Sequence, residues 1–151
     1  MRLSDHFTLA EFTKSQTADR HDIDNTPDDA QTERLKILCE NVLEPVRKHF
    51  GKSFSPSSGF RSEELCVKIG SKTTSQHAKG EAVDFEIPGV DNKELAYWIV
   101  DNLDFDQLIL EYYKPGVPDS GWVHVSFKGE GNRNEVLTMT KGVGYSFGLP
   151  S

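Results

Sequence analysis

The order of hydrophobic patterns along the chain predicts an α+β fold, in which N-terminal helices pack on a small antiparallel sheet. The first half carries apolar residues at helical spacing, between residues 26 and 51. The second half carries short segments in which apolar and polar residues alternate, as in strands with one buried face. The 151 residues suffice for a hydrophobic core. We therefore expect one domain over residues 1–151, with its motif-bearing part at about 54–128.

The helical part begins with a short helix that Thr8 caps, because Thr8 and Glu11 have the spacing of a capping box. Residues 15–26 are polar and are predicted to form a surface loop. A long amphipathic helix follows, with Thr26 as its N-cap before a proline. Pro45 predicts a kink in this helix or the end of its regular part. The apolar face of the helix consists of Leu35, Leu38, Cys39, Val42, Leu43 and Val46.

The strands are predicted from alternation and from the turns that separate them. They lie at residues 81–87, 105–112, 122–127 and 136–140, and a short strand that runs into a turn lies within residues 54–62. Two helices lie between the strands, one beginning after Ser62 and the other after Asp91. The glycine-rich tail at about 141–151 is expected to be loosely ordered.

Charge and composition narrow the classes of function. The net charge of −7 disfavours a nucleic-acid partner, whose phosphates the protein would repel. No apolar run is long enough for a transmembrane helix, and the N-terminus lacks the apolar segment of a signal peptide. We expect a monomer in the cytoplasm of the producing cell, which reaches any external target by a route other than general secretion. Cys39 and Cys66 are too few for a disulfide framework.

A candidate metal site lies around the stretch from Ser75 to Asp84. His77 and Asp84 flank Gly80, which allows the backbone to turn, and His124 follows on the polar side of a later strand. If the two strands are antiparallel neighbours in register, Asp84 and His124 project from one face. Two imidazoles and a carboxylate are ligands that zinc accepts, with a fourth position left for water. Ordinary hydrogen-bonding histidines are the alternative, and Cys66 is a weaker candidate ligand.

The residues around this site resemble a known family. The pattern Ser-x-His-x3-Gly-x-Ala-x-Asp at 75–84, followed by Trp122-x-His124, is similar to zinc D-alanyl-D-alanine carboxypeptidases and L-alanyl-D-glutamate endopeptidases, which cut bacterial peptidoglycan. The same fold includes vancomycin-resistance dipeptidases and the hedgehog signalling domain. The segments at 7–12, 24–27, 58–62 and 106–111 extend the resemblance over roughly residues 5–128, and three of them resemble a phage- and prophage-associated branch.

The resemblance implies roles for individual residues. His77, Asp84 and His124 would bind Zn²⁺. Many relatives carry the general base three residues before the second histidine, where this chain has Gly121. Glu111 takes this role by its likeness to the related branch, and Asp119 is the alternative.

Three further residues are expected in the cleft. Arg61 matches the family arginine that donates to a substrate carboxylate or to the developing oxyanion. Ser75 either orients the substrate or stabilises the turn, and Trp122 either walls the cleft or packs in the core.

The resulting hypothesis is a zinc peptidase that cleaves peptidoglycan stem peptides, similar to a phage lysin. The residues leave carboxypeptidase and endopeptidase cleavage open. One alternative is a non-catalytic, zinc-stabilised module that binds cell wall or forms part of a virion, which the glycine at position 121 keeps open. A second alternative is a metal-free serine hydrolase that uses Ser75 and a histidine.

Overall fold

The computed structural model describes residues 1–151 and confirms the predicted α+β architecture, in which helices pack against a six-stranded sheet. The helical segments are α1 Leu9–Thr13, α2 Gln16–Arg20, α3 Asp29–Leu38, α4 Glu44–Phe50, α5 Glu63–Ile69, α6 Gln76–Lys79 and α7 Asn92–Asn102. The strands are β1 Pro56–Ser58, β2 Ala82–Phe85, β3 Gln107–Glu111, β4 Trp122–Ser126, β5 Glu135–Thr140 and β6 Gly144–Phe147. None of the helices has the length and hydrophobicity that crossing a membrane requires.

Segments α3 and α4 form one continuous helix, joined by a π-helical turn at Cys39–Leu43. In this turn the N–H of Glu44 donates to the carbonyl of Cys39, which is a wider spacing than in an α-helix. The wider turn comes directly before Pro45, which has no N–H to donate. The irregularity predicted at Pro45 takes the form of this π turn. The helix does not end there but continues to Phe50.

Two predictions about the N-terminal region are wrong. Residues 15–26 contain the short helix α2, because the Ser15 hydroxyl accepts a hydrogen bond from the Ala18 N–H at 3.2 Å and so caps a helical turn. The long helix begins after Asp28 instead of Thr26. The Asp28 carboxylate accepts from the Gln31 N–H at 2.7 Å, and an ionised cap is favoured at the positive end of the helix dipole.

The sheet has the strand order β1-β2-β4-β3-β5-β6, and four of its five strand pairs are antiparallel. The pair β3–β5 is parallel, which the prediction of an antiparallel sheet did not include. The reason is that the loop after β4 returns the chain to the beginning of β3. There the N–H groups of Asn134 and Glu135 donate to the carbonyls of Phe105 and Asp106.

The glycine-rich end of the chain is ordered, contrary to the expectation of a loose tail. Strand β6 pairs with β5 in an antiparallel hairpin, with Tyr145 opposite Met139. The last residues are held by two helix side chains of α7. Tyr97 donates its hydroxyl to the Pro150 carbonyl at 2.7 Å, and the Lys93 ammonium donates to the Ser151 carbonyl at 2.7 Å.

The strand alternation predicted from the sequence is confirmed, and it separates the core from the opposite face of the sheet. The core face carries Val83, Phe85, Leu108, Leu110, Val123 and Val125, which pack with the apolar faces of α3, α4 and α7. Asp84, Glu111 and His124 occupy the alternate positions on β2, β3 and β4. The polar residues of three strands are thereby collected on one face.

Candidate metal centre

Strands β2 and β4 bring Asp84 and His124 together. The two residues are directly opposite in the antiparallel pair, so their side chains project from the same face of the sheet. His124 Nδ1 lies 2.9 Å from Asp84 Oδ1. The strand phases of the sequence predicted this juxtaposition, and the register of the two strands provides it.

His77 approaches the same carboxylate from helix α6. Gly80 ends α6 with a φ of +78° and turns the chain into β2. A Cβ at Gly80 would lie 2.6 Å from the Gln31 carbonyl oxygen, so only glycine fits at this crossing. The turn places His77 Nε2 at 3.4 Å from Asp84 Oδ1. We refer to His77, Asp84 and His124 as the metal cluster.

A hydrogen bond on the far side of the His77 ring fixes its orientation. His77 Nδ1 donates to the Gly59 carbonyl at 2.7 Å, and because a carbonyl oxygen only accepts, Nδ1 carries the proton. The lone pair of Nε2 therefore faces the cluster, which is the arrangement typical of metal-binding histidines. Burial lowers the pKa of His77, which favours the neutral imidazole that a metal requires.

The donor set fits a zinc ion. The three potential ligand atoms lie within 4.8 Å of one another. A tetrahedral ion with bonds of about 2.0–2.1 Å holds its ligand atoms about 3.3 Å apart, and the two N–O separations are 3.4 Å and 2.9 Å. Burial opposes ionisation of Asp84, but its contacts with the imidazoles of His124 and His77 outweigh it and hold the pKa of Asp84 well below its ordinary value. The carboxylate is therefore available as an anionic ligand.

The metal cluster lies in a cleft of about 550 Å³. The other residues that the sequence placed in the site line the same cleft, namely Arg61, Ser75, Glu111 and Trp122. Cys66, the weaker candidate ligand, is not part of the cluster, because its thiol is buried and contacts the Arg61 carbonyl at 3.8 Å.

The comparison with known protein families agrees with this geometry. The peptidase M15 family matches residues 5–126. The chain belongs to this family. M15 peptidases depend on zinc, and the match includes the whole metal cluster, so this M15 protein is a zinc metallopeptidase. No curated protein matches the chain. The matched residues end with β4, so β5 and β6 of this M15 peptidase lie outside the match.

Glu111 is the one carboxylate besides Asp84 that lines the metal cleft of the M15 peptidase. It ends β3 directly opposite Trp122, whose indole N–H donates to Glu111 Oε2 at 2.8 Å. Burial raises the pKa of Glu111, and the negative charge of Asp84 raises it further. Trp122 therefore positions a carboxylate that is more basic than an ordinary glutamate.

Position 121, where the resemblance leads us to expect an acid, has no room for a side chain in this M15 peptidase. Gly121 has a φ of +64°, and a Cβ there would lie 2.0 Å from the Glu111 carbonyl oxygen. No acidic side chain fits at this position without moving the end of β3. Asp119, the alternative base, lines a separate cavity of about 520 Å³ together with Glu86 and Pro118.

Arg61 and Ser75 each contact one member of the metal cluster. One guanidinium nitrogen of Arg61 is 3.3 Å from Asp84 Oδ2, and its Nε donates to the Ser58 hydroxyl at 3.0 Å. The Ser75 hydroxyl accepts from the His77 N–H at 3.2 Å and caps α6. This contact supports turn stabilisation, one of the two roles considered for Ser75. Ser75 also lines the cleft.

The cleft contains residues that the sequence reasoning missed. They include Lys72, Gln107, Ile109 and Tyr145. Gln107 and Ile109 share the strand parity of Glu111, so the alternation of β3 contained the signal that places them on this face. Tyr145 had a weaker signal, since Tyr145 and Phe147 alternate between two glycines in the manner of a short strand.

Proposed function

We propose that this M15 zinc peptidase cleaves the stem peptides of bacterial peptidoglycan, with His77, Asp84 and His124 as its metal ligands. The observation that carries the proposal is the arrangement of these three residues and Glu111 in one cleft. Two cations, Arg61 and Lys72, line the same cleft. Stem peptides carry free carboxylates, which suit these cations.

Zinc supplies Lewis acidity at such a site, which makes a nearby water more acidic and a carbonyl more electrophilic. Glu111 takes the proton from the attacking water and gives it to the leaving amine, which is general acid–base catalysis by one carboxylate. Burial raises the pKa of Glu111 above its ordinary value, which makes its carboxylate a better proton acceptor. Trp122 holds the carboxylate in place through its indole N–H.

Arg61 has two candidate tasks in this reaction. Its guanidinium lies beside Asp84 at the edge of the metal cluster, where it can donate to the oxyanion that develops on the scissile carbonyl. It can equally bind a substrate carboxylate through paired N–H groups.

The likeness to the phage- and prophage-associated branch supports a role as a lysin that acts on the cell wall after release.

A zymogram of purified peptidoglycan tests the proposal. Wild-type protein with one zinc per chain is expected to clear the substrate, and Glu111→Ala is expected to lose at least about a hundredfold in activity. Asp119→Ala is the matched control, because Asp119 is an acid that does not line the metal cleft, and it should retain wild-type activity. Fully zinc-loaded wild type that clears nothing would overturn the peptidase and favour the non-catalytic wall-binding module.

Mass spectrometry of the digested muropeptides determines the bond that is cut. Loss of a terminal D-alanine identifies a carboxypeptidase. A new amino end after L-alanine identifies an endopeptidase. Activity that survives complete zinc removal would support the metal-free serine hydrolase instead.

A further inference from the structure

The β5–β6 hairpin adds a residue to the cleft from outside the part of the chain that matches the family. The match ends at residue 126, and the hairpin spans residues 135–147. Tyr145 of β6 nevertheless lines the cavity that contains the metal cluster. Its side chain is 60% exposed, so the ring lies against open space and not in the core.

The strand register gives the distance of Tyr145 from the reacting groups. Glu111 pairs with Met139, and Met139 pairs with Tyr145, so the three side chains share one face of the sheet. Neighbouring strands lie about 4.8 Å apart, which puts the backbones of Tyr145 and Glu111 about 10 Å apart across the sheet. An extended peptide rises about 3.3 Å per residue, so this distance corresponds to about three substrate residues.

The surface near Tyr145 is apolar, unlike the rest of the cleft. The adjacent row on the same face consists of Ile109, Leu137 and Phe147. Phe147 is 86% exposed. Arg61 lies at the other end of the strand order, next to Asp84 on β2. The metal cluster therefore lies between a cationic end and an aromatic end of one sheet face.

We propose that Tyr145 is a substrate-positioning residue, which binds an extended stem peptide about three residues from the scissile bond, on the flank away from Arg61. Its ring contacts methyl and methylene groups of the peptide over the apolar row, and its hydroxyl contacts the peptide backbone. The inference rests on the proposed function and deepens it. The substrate then extends at least three residues from the scissile bond on that flank. A free dipeptide would be too short to contact Tyr145.

Substrate length separates this role from a structural one. The test measures cleavage of two series of stem-peptide fragments by wild type, Tyr145→Phe and Tyr145→Ala. One series is lengthened one residue at a time on the amino flank, and the other on the carboxyl flank. Tyr145→Ala is expected to raise KM about tenfold for the longer fragments of one series, with kcat and all short fragments unchanged, since it removes about 1.4 kcal/mol of uniform binding. Tyr145→Phe should keep most of the affinity. Val143→Ala is the matched control, because Val143 is 77% exposed on the same hairpin and does not line the cleft.

A binding measurement gives a second readout. Calorimetric titration of the long and short fragments into zinc-loaded Glu111→Gln protein, with and without Tyr145→Ala, should show about tenfold weaker binding of the long fragment alone. Equal affinity of the two proteins for the long fragment would overturn the role of Tyr145, and so would an equal loss for long and short fragments. If wild type cleaves no fragment, the proposed function fails, and the titration still decides whether Tyr145 binds the peptide.

Discussion

At the scale of single residues, the contact between Trp122 and Glu111 bears most directly on the proposed general base. The two residues are opposite in the β3–β4 register, and the indole N–H donates to the carboxylate at 2.8 Å. This hydrogen bond favours the ionised form of Glu111, whereas burial and Asp84 favour the protonated form. Burial and Asp84 outweigh the groups that lower the pKa of Glu111, which lies above the ordinary glutamate value.

Trp122→Phe should therefore change both the rate and its pH dependence. A general base that is no longer held in position loses part of its catalytic effect, which predicts a fall in kcat of at least about tenfold. A general base works in its ionised form, so activity rises as pH rises through its pKa. Removal of the N–H raises that pKa, and the acid limb of the kcat profile should move to higher pH.

The other tryptophan of the chain provides the control for this experiment. Trp98 stacks on His49, with ring centroids 4.5 Å apart, and lies on α7 away from the cleft. Trp98→Phe should leave the pH profile unchanged. A Trp122→Phe protein with full zinc content and a wild-type acid limb would show that Trp122 does not position Glu111.

A second residue-scale prediction concerns Gly121, where any side chain would clash with the end of β3. Gly121 and Gly51 have the same φ of +64°, but a Cβ at Gly51 meets nothing within 4 Å. Gly51→Ala should cost about 1 kcal/mol of unfolding free energy, since it bears only the left-handed strain. Gly121→Ala should cost at least about 3 kcal/mol and lower activity, because the methyl group displaces the end of β3. Urea denaturation of both variants measures the difference, and equal costs would contradict it.

At the scale of elements, buried Asp106 links the beginning of β3 to the helix that carries His77. Its carboxylate accepts from Arg133 Nη2 at 2.8 Å and from Gln76 Nε2 at 3.0 Å. Gln76 is the first residue of α6, directly before His77. Burial alone would raise the pKa of Asp106, but the hydrogen bonds from Arg133 and Gln76 outweigh it and lower the pKa below its ordinary value.

Arg133→Gln should destabilise the protein in a pH-dependent manner. A carboxyl group with a lowered folded-state pKa adds stability above its unfolded value of about 3.9, and this stability is lost as pH falls through the folded pKa. The variant is expected to lose about 1–3 kcal/mol at pH 7, and the difference from wild type should shrink as the pH falls below about 4. Urea titrations at several pH values measure this, and a difference that does not change with pH would contradict the account.

At the scale of the whole molecule, the features that depend on local sequence patterns were predicted better than the features that depend on long-range contacts. The alternation of β2 and β4 placed Asp84 and His124 on one face, because strand parity is a local property. The parallel β3–β5 pair and the ordered tail were not predicted, since they depend on where the loop after β4 returns and on contacts of Tyr97 and Lys93 with the last residues. The apolar cluster includes residues from Leu3 to Phe127, so helices from the first half of the chain and strands from the second half share one core.

Zinc binding should stabilise the whole fold, because the metal cluster joins α6, β2 and β4. A ligand at a hundred times its dissociation constant adds about 2.7 kcal/mol, which predicts a rise in Tm of roughly 5–10 °C for a domain of this size. Asp84→Asn should lose this rise, since it removes the anionic ligand. A thermal scan with and without zinc tests this, and an equal rise in both proteins would place the metal elsewhere.

The most direct test of the central claim is the mass spectrum of purified muropeptides after incubation with protein stripped of metal and with the same protein after zinc is restored. The account predicts intact muropeptides in the first sample and cleavage of one defined peptide bond in the second. Unchanged muropeptide masses in the presence of one bound zinc per chain would contradict it.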